Sequence, residues 1–127
     1  MEAVCRFQSD YVILNYDFGN VLINSRGEVD PAADFDLIVD RVGHLHLKDA
    51  ILRDDHWEWA AIGQGKIDYL RIFTRLQQLS RVIPTTLDLP LSLVLDRQAR
   101  AGMVKEPMRL EEIDRIMLAS LEFVCRY

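Results

Sequence analysis

Short apolar runs alternate with helix-period runs along this chain. Tyr11–Tyr16 (YVILNY) is nearly continuous in apolar residues up to Asp17, the pattern of a strand buried on both faces. Asp30-Pro31 supplies an N-cap followed by proline at the first helical position, with Phe35, Ile38 and Val42 as a short apolar stripe behind it. Gly43–Lys48 (GHLHLK) predicts a second strand. A long loop is expected after it, carrying Trp57, Trp59 and the pair Gly63/Gly65; loops of that length inside compact domains are often functional. Ile67, Leu70, Phe73, Leu76 and Leu79 then recur at helical spacing, with Asp68 as the cap. Pro84–Leu89 (PTTLDL) predicts a third strand, stopped by Pro90, and Ser92–Pro107 reads as irregular and partly basic through Arg97, Arg100 and Lys105. The last helix opens at Glu111 and Glu112, which suit the positive helix N-terminus, and its stripe is Leu110, Ile113, Met117, Leu121 and Val124.

The string β-α-β-loop-α-β-loop-α predicts an α/β fold of three parallel strands with flanking helices, joined by right-handed crossovers. A (β/α)8 barrel and a doubly wound sheet both repeat in this way. No GxGxxG or GxxxxGK loop follows a strand, which disfavours the nucleotide-binding version. Three strands do not close a barrel of eight, so residues 1–127 are expected to form a single partial domain.

Composition narrows the partners. Half of the 127 residues are hydrophobic and 28% are charged, a normal globular balance, and the net charge of -5 offers no basic stripe for phosphates. A nucleic-acid partner is therefore not expected, whereas a small anionic substrate remains compatible with local charge. Cys5 and Cys125 have no CxxC or Cys/His metal spacing and read as buried thiols in a reducing compartment. The segment MEAVCRFQSD lacks the apolar core and cleavage site of a signal peptide. No apolar run approaches the roughly 18 residues that span a bilayer. The expectation is a cytoplasmic protein with no membrane partner.

Parallel α/β folds build their sites at the C-terminal strand ends. Asp17, His46 and Asp88 stand there on three successive strands, and neighbouring strands lie only ~4.8 Å apart. Two carboxylates and a neutral imidazole make a mixed O/N site for a divalent metal such as Mn2+, Mg2+, Co2+ or Zn2+. Each residue also has a structural use: Asp17 caps the turn with Asn20, His46 is a satisfied core histidine, or Asp88 merely ends its strand. His44 shares a strand face with His46 and either lines the site or serves the structure. Lys48 and Arg53 follow His46 and either meet a phosphate or sugar oxygen or remain solvated. His56, in a polar run, reads as solvated. Trp57 and Trp59 either wall the pocket or cover the rim.

Four segments in order, YDFGN, VGHLHLKDA, IGQGKIDY and TTLDLP, resemble the xylose isomerase-like TIM barrels, and more narrowly the sugar phosphate isomerase/epimerase group. The patterns they follow are a D-x-G-N strand end, a V-x-H-x-H-x-K-D strand, a G-x-G-x-I-D helix entry and an S-L-E-L-P strand. The match covers nearly the whole chain, from Tyr11 to Tyr127. The resemblance implies the C-terminal part of a (β/α)8 TIM barrel, its sixth to eighth strands, with the barrel incomplete. It implies metal ligands at Asp17, His46 and Asp88, a proton-transfer role for Asp88, and substrate contacts from Asn20, His44, Lys48 and Arg53. Two departures stand out: the fifth-strand glutamate ligand falls before the chain, and the eighth-strand glutamate is the shorter Asp88. The implied function is a fragment of a metal-dependent sugar or sugar phosphate isomerase/epimerase, moving a proton beside a carbonyl once the missing strands are supplied by self-association or a complementing chain. By itself such a chain is expected to bind metal weakly and to turn over little substrate. The alternative is a non-catalytic truncated remnant or interaction module. A DNA-repair endonuclease of the same superfamily is disfavoured by three histidines and an acidic balance.

Overall fold

The computed structural model describes residues 12–127; the expectations for Cys5, for the segment 1–10 and for a strand beginning at Tyr11 lie outside the described residues. In chain order the elements are β1 (Leu14–Asp17), α1 (Phe18–Asn24), α2 (Pro31–Ile38), a 3-10 turn (Val39–Arg41), β2 (Val42–Leu47), β3 (Asp49–Leu52), β4 (His56–Ala60), α3 (Tyr69–Gln77), β5 (Thr85–Leu87), β6 (Leu93–Asp96), β7 (Ala101–Met103) and α4 (Leu110–Val124).

The three strands expected from the apolar runs pair in parallel in the order β1-β2-β5, with Asp17 opposite His46 and His46 opposite Thr86. Their side chains alternate at the strand period. Tyr16, Leu45 and Leu47 are buried in one core cluster with Phe18 and Ile23 of α1, Phe35 and Ile38 of α2, and Ile72 and Phe73 of α3. Full burial of each such leucine contributes about 1.5–3 kcal/mol. The Phe18 ring is the hub, its centroid 4.9 Å from Tyr16, 5.2 Å from Phe35 and 5.8 Å from Tyr69. The intervening positions, Asn15, His44, His46 and Thr86, are polar and at least partly open. The parallel sheet thus has one greasy face and one chemical face. Helix starts are fixed by acceptors that satisfy orphan N–H groups. Asp30 takes the Ala32 N–H at 3.0 Å with Pro31 beside it, and Asp68 takes the Arg71 N–H at 3.0 Å.

The expected incomplete TIM barrel is not what forms. A separate four-stranded antiparallel sheet, β3-β4-β6-β7, accompanies the parallel one. Two segments expected to be loops are its strands. In β4, buried Trp57 sits opposite Leu52 on one side and Leu95 on the other, a period-two apolar match that holds the hairpin β3-β4 to β6. After β5 the chain does not cross over through a helix, as a barrel requires, but passes directly into β6 and pairs back onto β4. The β6-β7 turn lacks the usual Asn-Gly signal. Asp96 builds it instead, accepting the N–H groups of Gln98 and Arg100 at 2.9 Å each, with Ala99 in the left-handed region at φ 63°.

Of the two expected helical stripes, Ile67, Phe73, Leu76 and Leu79 of the first and Val124 of the second meet the core, and the departures are Leu70, Leu110 and Leu121. In α3, Tyr69, Ile72 and Phe73 are buried while Leu70 is exposed. In α4, Leu110 and Leu121 are exposed, and the helix docks through Phe123, Val124 and the buried Ser120, whose hydroxyl accepts the Ile62 N–H at 3.1 Å. Among the described residues no helix is long and apolar enough to cross a membrane.

Candidate metal centre

Asp17 ends β1 and caps α1, and its two oxygens divide those tasks. Oδ1 accepts the Asn20 N–H at 2.9 Å, while Oδ2 turns toward the neighbouring strands. His46, on the polar face of β2, sets Nδ1 3.7 Å from Asp17 Oδ2 and 3.4 Å from Asp88 Oδ2. Its Nε2 is 3.3 Å from the Asn15 amide nitrogen. Asp88 follows β5 directly and is kept in register by its own N–H, which donates to the Leu47 carbonyl at 3.0 Å. One ligand atom from each of the three residues lies within 4.8 Å of the others. Donors bound to one ion at ~2.0–2.2 Å stand about 3–3.6 Å apart in octahedral or tetrahedral geometry. The two distances from the imidazole fit such an ion with little movement.

Lys48 is the feature the sequence reading placed least well. The expectation is contact with solvent or with a phosphate or sugar oxygen; instead its side chain is 6% exposed and bridges the carboxylates, Nζ to Asp17 Oδ2 at 2.9 Å and to Asp88 Oδ2 at 2.6 Å. Burial alone would push this ammonium down, but the hydrogen bonds to Asp88 and Asp17 outweigh it and hold the group above the usual lysine value. The Trp59 ring lies beneath Nζ, 5.3 Å from centroid to nitrogen, while the indole Nε1 is buried without a hydrogen-bond partner among the described residues. Gly19, of the D-x-G-N segment, makes the approach feasible: a Cβ there would overlap Lys48 Cγ.

The next residue anchors the region. Asp49 is fully buried, and its carboxylate accepts four backbone N–H groups. Oδ1 takes Ala50 at 2.9 Å and Ile67 at 3.2 Å; Oδ2 takes Gly63 at 3.1 Å and Gly65 at 2.8 Å. A Cβ on Gly65 would occupy the space of that carboxylate. Burial raises the Asp49 carboxyl above its ordinary value, and the four N–H bonds oppose the rise without cancelling it. The K-D and G-x-G segments, whose Asp49 lies 14 and 16 residues from Gly63 and Gly65, are therefore two halves of one clamp.

The remaining candidates are distributed. His44 Nε2 is 3.0 Å from Thr86 Oγ1, and its ring meets His46 edge-on at 5.6 Å, so it lines the polar face. Asn20 is exposed and gives its N–H to Asp17. Arg53 sits at the β3-β4 turn with Nε 2.8 Å from Glu58 Oε2. His56 is on β4 rather than in a loop, held by Asp55 at 2.6 Å and Glu58 at 3.0 Å. Trp57 belongs to the core and Trp59 to the centre. Asn15, Thr86, Asp49 and the bridging role of Lys48 escaped the sequence reading. The period-two alternation in LNYD and TTL was the available signal for the first two.

No family model matches the chain, and no match is found among curated proteins or solved structures.

Proposed function

We propose that Asp17, His46 and Asp88 hold a divalent cation, Mn2+, Mg2+, Co2+ or Zn2+, in a site that moves a proton beside the carbonyl of a small sugar, the chemistry of an isomerase or epimerase. The convergence of the three donors on one edge of the parallel sheet carries this reading. Three protein donors leave coordination positions open, as catalytic rather than structural sites do. A cation held there supplies Lewis acidity to a substrate carbonyl. The two carboxylates have different parts. Asp17, at 13% exposure and tied to the α1 N-terminus, is a fixed ligand. Asp88, at 39%, faces incoming substrate and is the group that takes and returns the proton. Asn15, His44 and Thr86 form a polar floor for sugar hydroxyls. Lys48 and Arg53, expected from sequence to meet a phosphate or a sugar oxygen or to remain solvated, are both engaged with carboxylates, which favours a neutral sugar over a sugar phosphate.

The test is Mn2+ binding by calorimetry, together with deuterium exchange at the carbon beside the carbonyl of ketoses and aldoses followed by NMR. Micromolar to millimolar binding that His46→Ala weakens at least tenfold, with exchange dependent on added metal, supports the reading. Binding indifferent to His46→Ala and to Asp17→Asn overturns it. A second reading, a non-catalytic module, is favoured by one observation: the Lys48 ammonium already neutralises both carboxylates. Under that reading the same titration shows no metal binding at all.

A further inference from the structure

We propose that Lys48 is a built-in competitor for the divalent cation, a charge lock that sets which ions and what concentrations load the site. The inference rests on the metal reading above and concerns its regulation. The competition is visible in the atoms. Asp17 Oδ2 and Asp88 Oδ2, the oxygens nearest His46 Nδ1, are the same two oxygens that Lys48 Nζ contacts at 2.9 and 2.6 Å. An ion bound to them at ~2.1 Å would stand within a few ångströms of the ammonium, where like charges repel strongly in a partly desolvated setting. The lysine cannot simply swing into water, because its stem passes over Gly19 with no room for a Cβ and its side chain is almost wholly covered. Its alternative seat is already present. The face of Trp59, 5.3 Å from Nζ, already makes a cation–π contact that stays with the ammonium once the carboxylates turn to the metal. The closed state is thus an ion pair set over an aromatic face, and in the loaded state the ammonium gives up the two carboxylates and keeps the aromatic face. Strongly binding ions make that exchange and weakly binding ions do not.

The experiment is a Mn2+ titration read by the paramagnetic resonance signal of free Mn2+, on wild type, Lys48→Met, Lys48→Arg, His46→Ala and the His46→Ala/Lys48→Met pair. Lys48→Met keeps the stem and removes the charge, and should bind Mn2+ at least tenfold more tightly than wild type. Lys48→Arg keeps the charge and should show no gain. The double variant should lose the gain, which assigns it to this site. Circular dichroism checks folding, and Lys48→Gln carries the same test should the methionine variant fail to fold. Wild-type binding that depends on His46 but is unchanged or weakened in Lys48→Met and Lys48→Gln overturns the competitor role and leaves the metal reading standing. No His46-dependent binding in any variant overturns both.

Discussion

Replacing Asp49 separates what a buried carboxylate contributes by charge from what it contributes as an acceptor. In Asp49→Ala, four N–H groups lose their partner. Ala50 and Ile67 are buried, so their amides stay unsatisfied at about 1–3 kcal/mol each. Gly63 and Gly65 are exposed or half-exposed and can turn to water, losing only the net value of a hydrogen bond, about 0.5–1.5 kcal/mol each. Against this stands relief from burying a charge, which is real because burial raises the Asp49 carboxyl above its ordinary value despite four donors. The balance is a loss of about 3–5 kcal/mol, a large share of the stability of a small domain. Asp49→Asn should cost less, about 1–2 kcal/mol. Its oxygen can keep the two buried amides, its NH2 group meets the two glycine amides nearest solvent, and the charge is gone. Urea unfolding measures both, and hydrogen exchange at residues 50, 63, 65 and 67 reports which amides open. An alanine variant within 1 kcal/mol of wild type, or an asparagine variant as damaged as the alanine, would refute the claim that amide satisfaction dominates.

Gly19→Ala should destabilise by about 1–3 kcal/mol through overpacking, and should shift the indole fluorescence of Trp59 as Lys48 is pushed aside; unchanged emission and stability would count against the close approach. Asp88→Asn should lower any metal-dependent proton exchange by ~10²–10⁴-fold while Mn2+ affinity falls far less, because an amide oxygen still ligates but does not take a proton; equal losses in both would remove the proton-transfer role. His56, bonded by Asp55 and Glu58, is held above the ordinary histidine value of 6.5. Its contribution is therefore full below pH 6.5 and is lost as pH rises through the folded-state value. His56→Gln should flatten the decline in thermal stability on that alkaline side, and an unchanged pH profile would show that the pair contributes nothing measurable.

The parallel strands were legible because burial on one face leaves apolar residues at alternate positions ahead of a polar end, as Tyr16 stands before Asp17 and as Leu45 and Leu47 alternate with His44, His46 and Lys48. The antiparallel sheet was not, although His56-Trp57-Glu58-Trp59-Ala60 alternates as an open-faced strand should. Gly63 and Gly65 are loop signals that mask the strand before them, and the β6-β7 turn is made by Asp96 and a left-handed Ala99 rather than by glycine or asparagine. A motif order read against a repeating strand-helix unit then made the barrel the natural extension, which the return of the chain onto β4 excludes. The site was legible in its donors and not in its counter-ion. Residue type places Asp17, His46 and Asp88 at strand ends, but nothing in a lysine two places after a histidine says that its ammonium folds back between carboxylates. That depends on the space left by Gly19 and the wall provided by Trp59, both set by tertiary packing.

The arrangement does not depend on a closed barrel to bring its groups together. Asp17 and His46 are register partners on adjacent strands, and Asp88 follows Leu87, the register partner of Leu47. Parallel pairing at ~4.8 Å per strand therefore delivers the three donors within reach of one centre from the sheet alone. What the sheet cannot deliver is a balanced charge, since two carboxylates on one edge repel each other in the absence of a cation. Lys48 supplies that balance from the residue that also begins the passage to the second sheet, directly before the Asp49 clamp. The antiparallel sheet contributes Trp59, and the Gly63–Ile67 segment is fixed by Asp49, so the elements that break the barrel pattern are the ones that hold the lysine in place. The folding stability of the centre and its affinity for an added cation are consequently opposed: whatever strengthens the Lys48 pairing makes the sheet edge more stable and the metal harder to load.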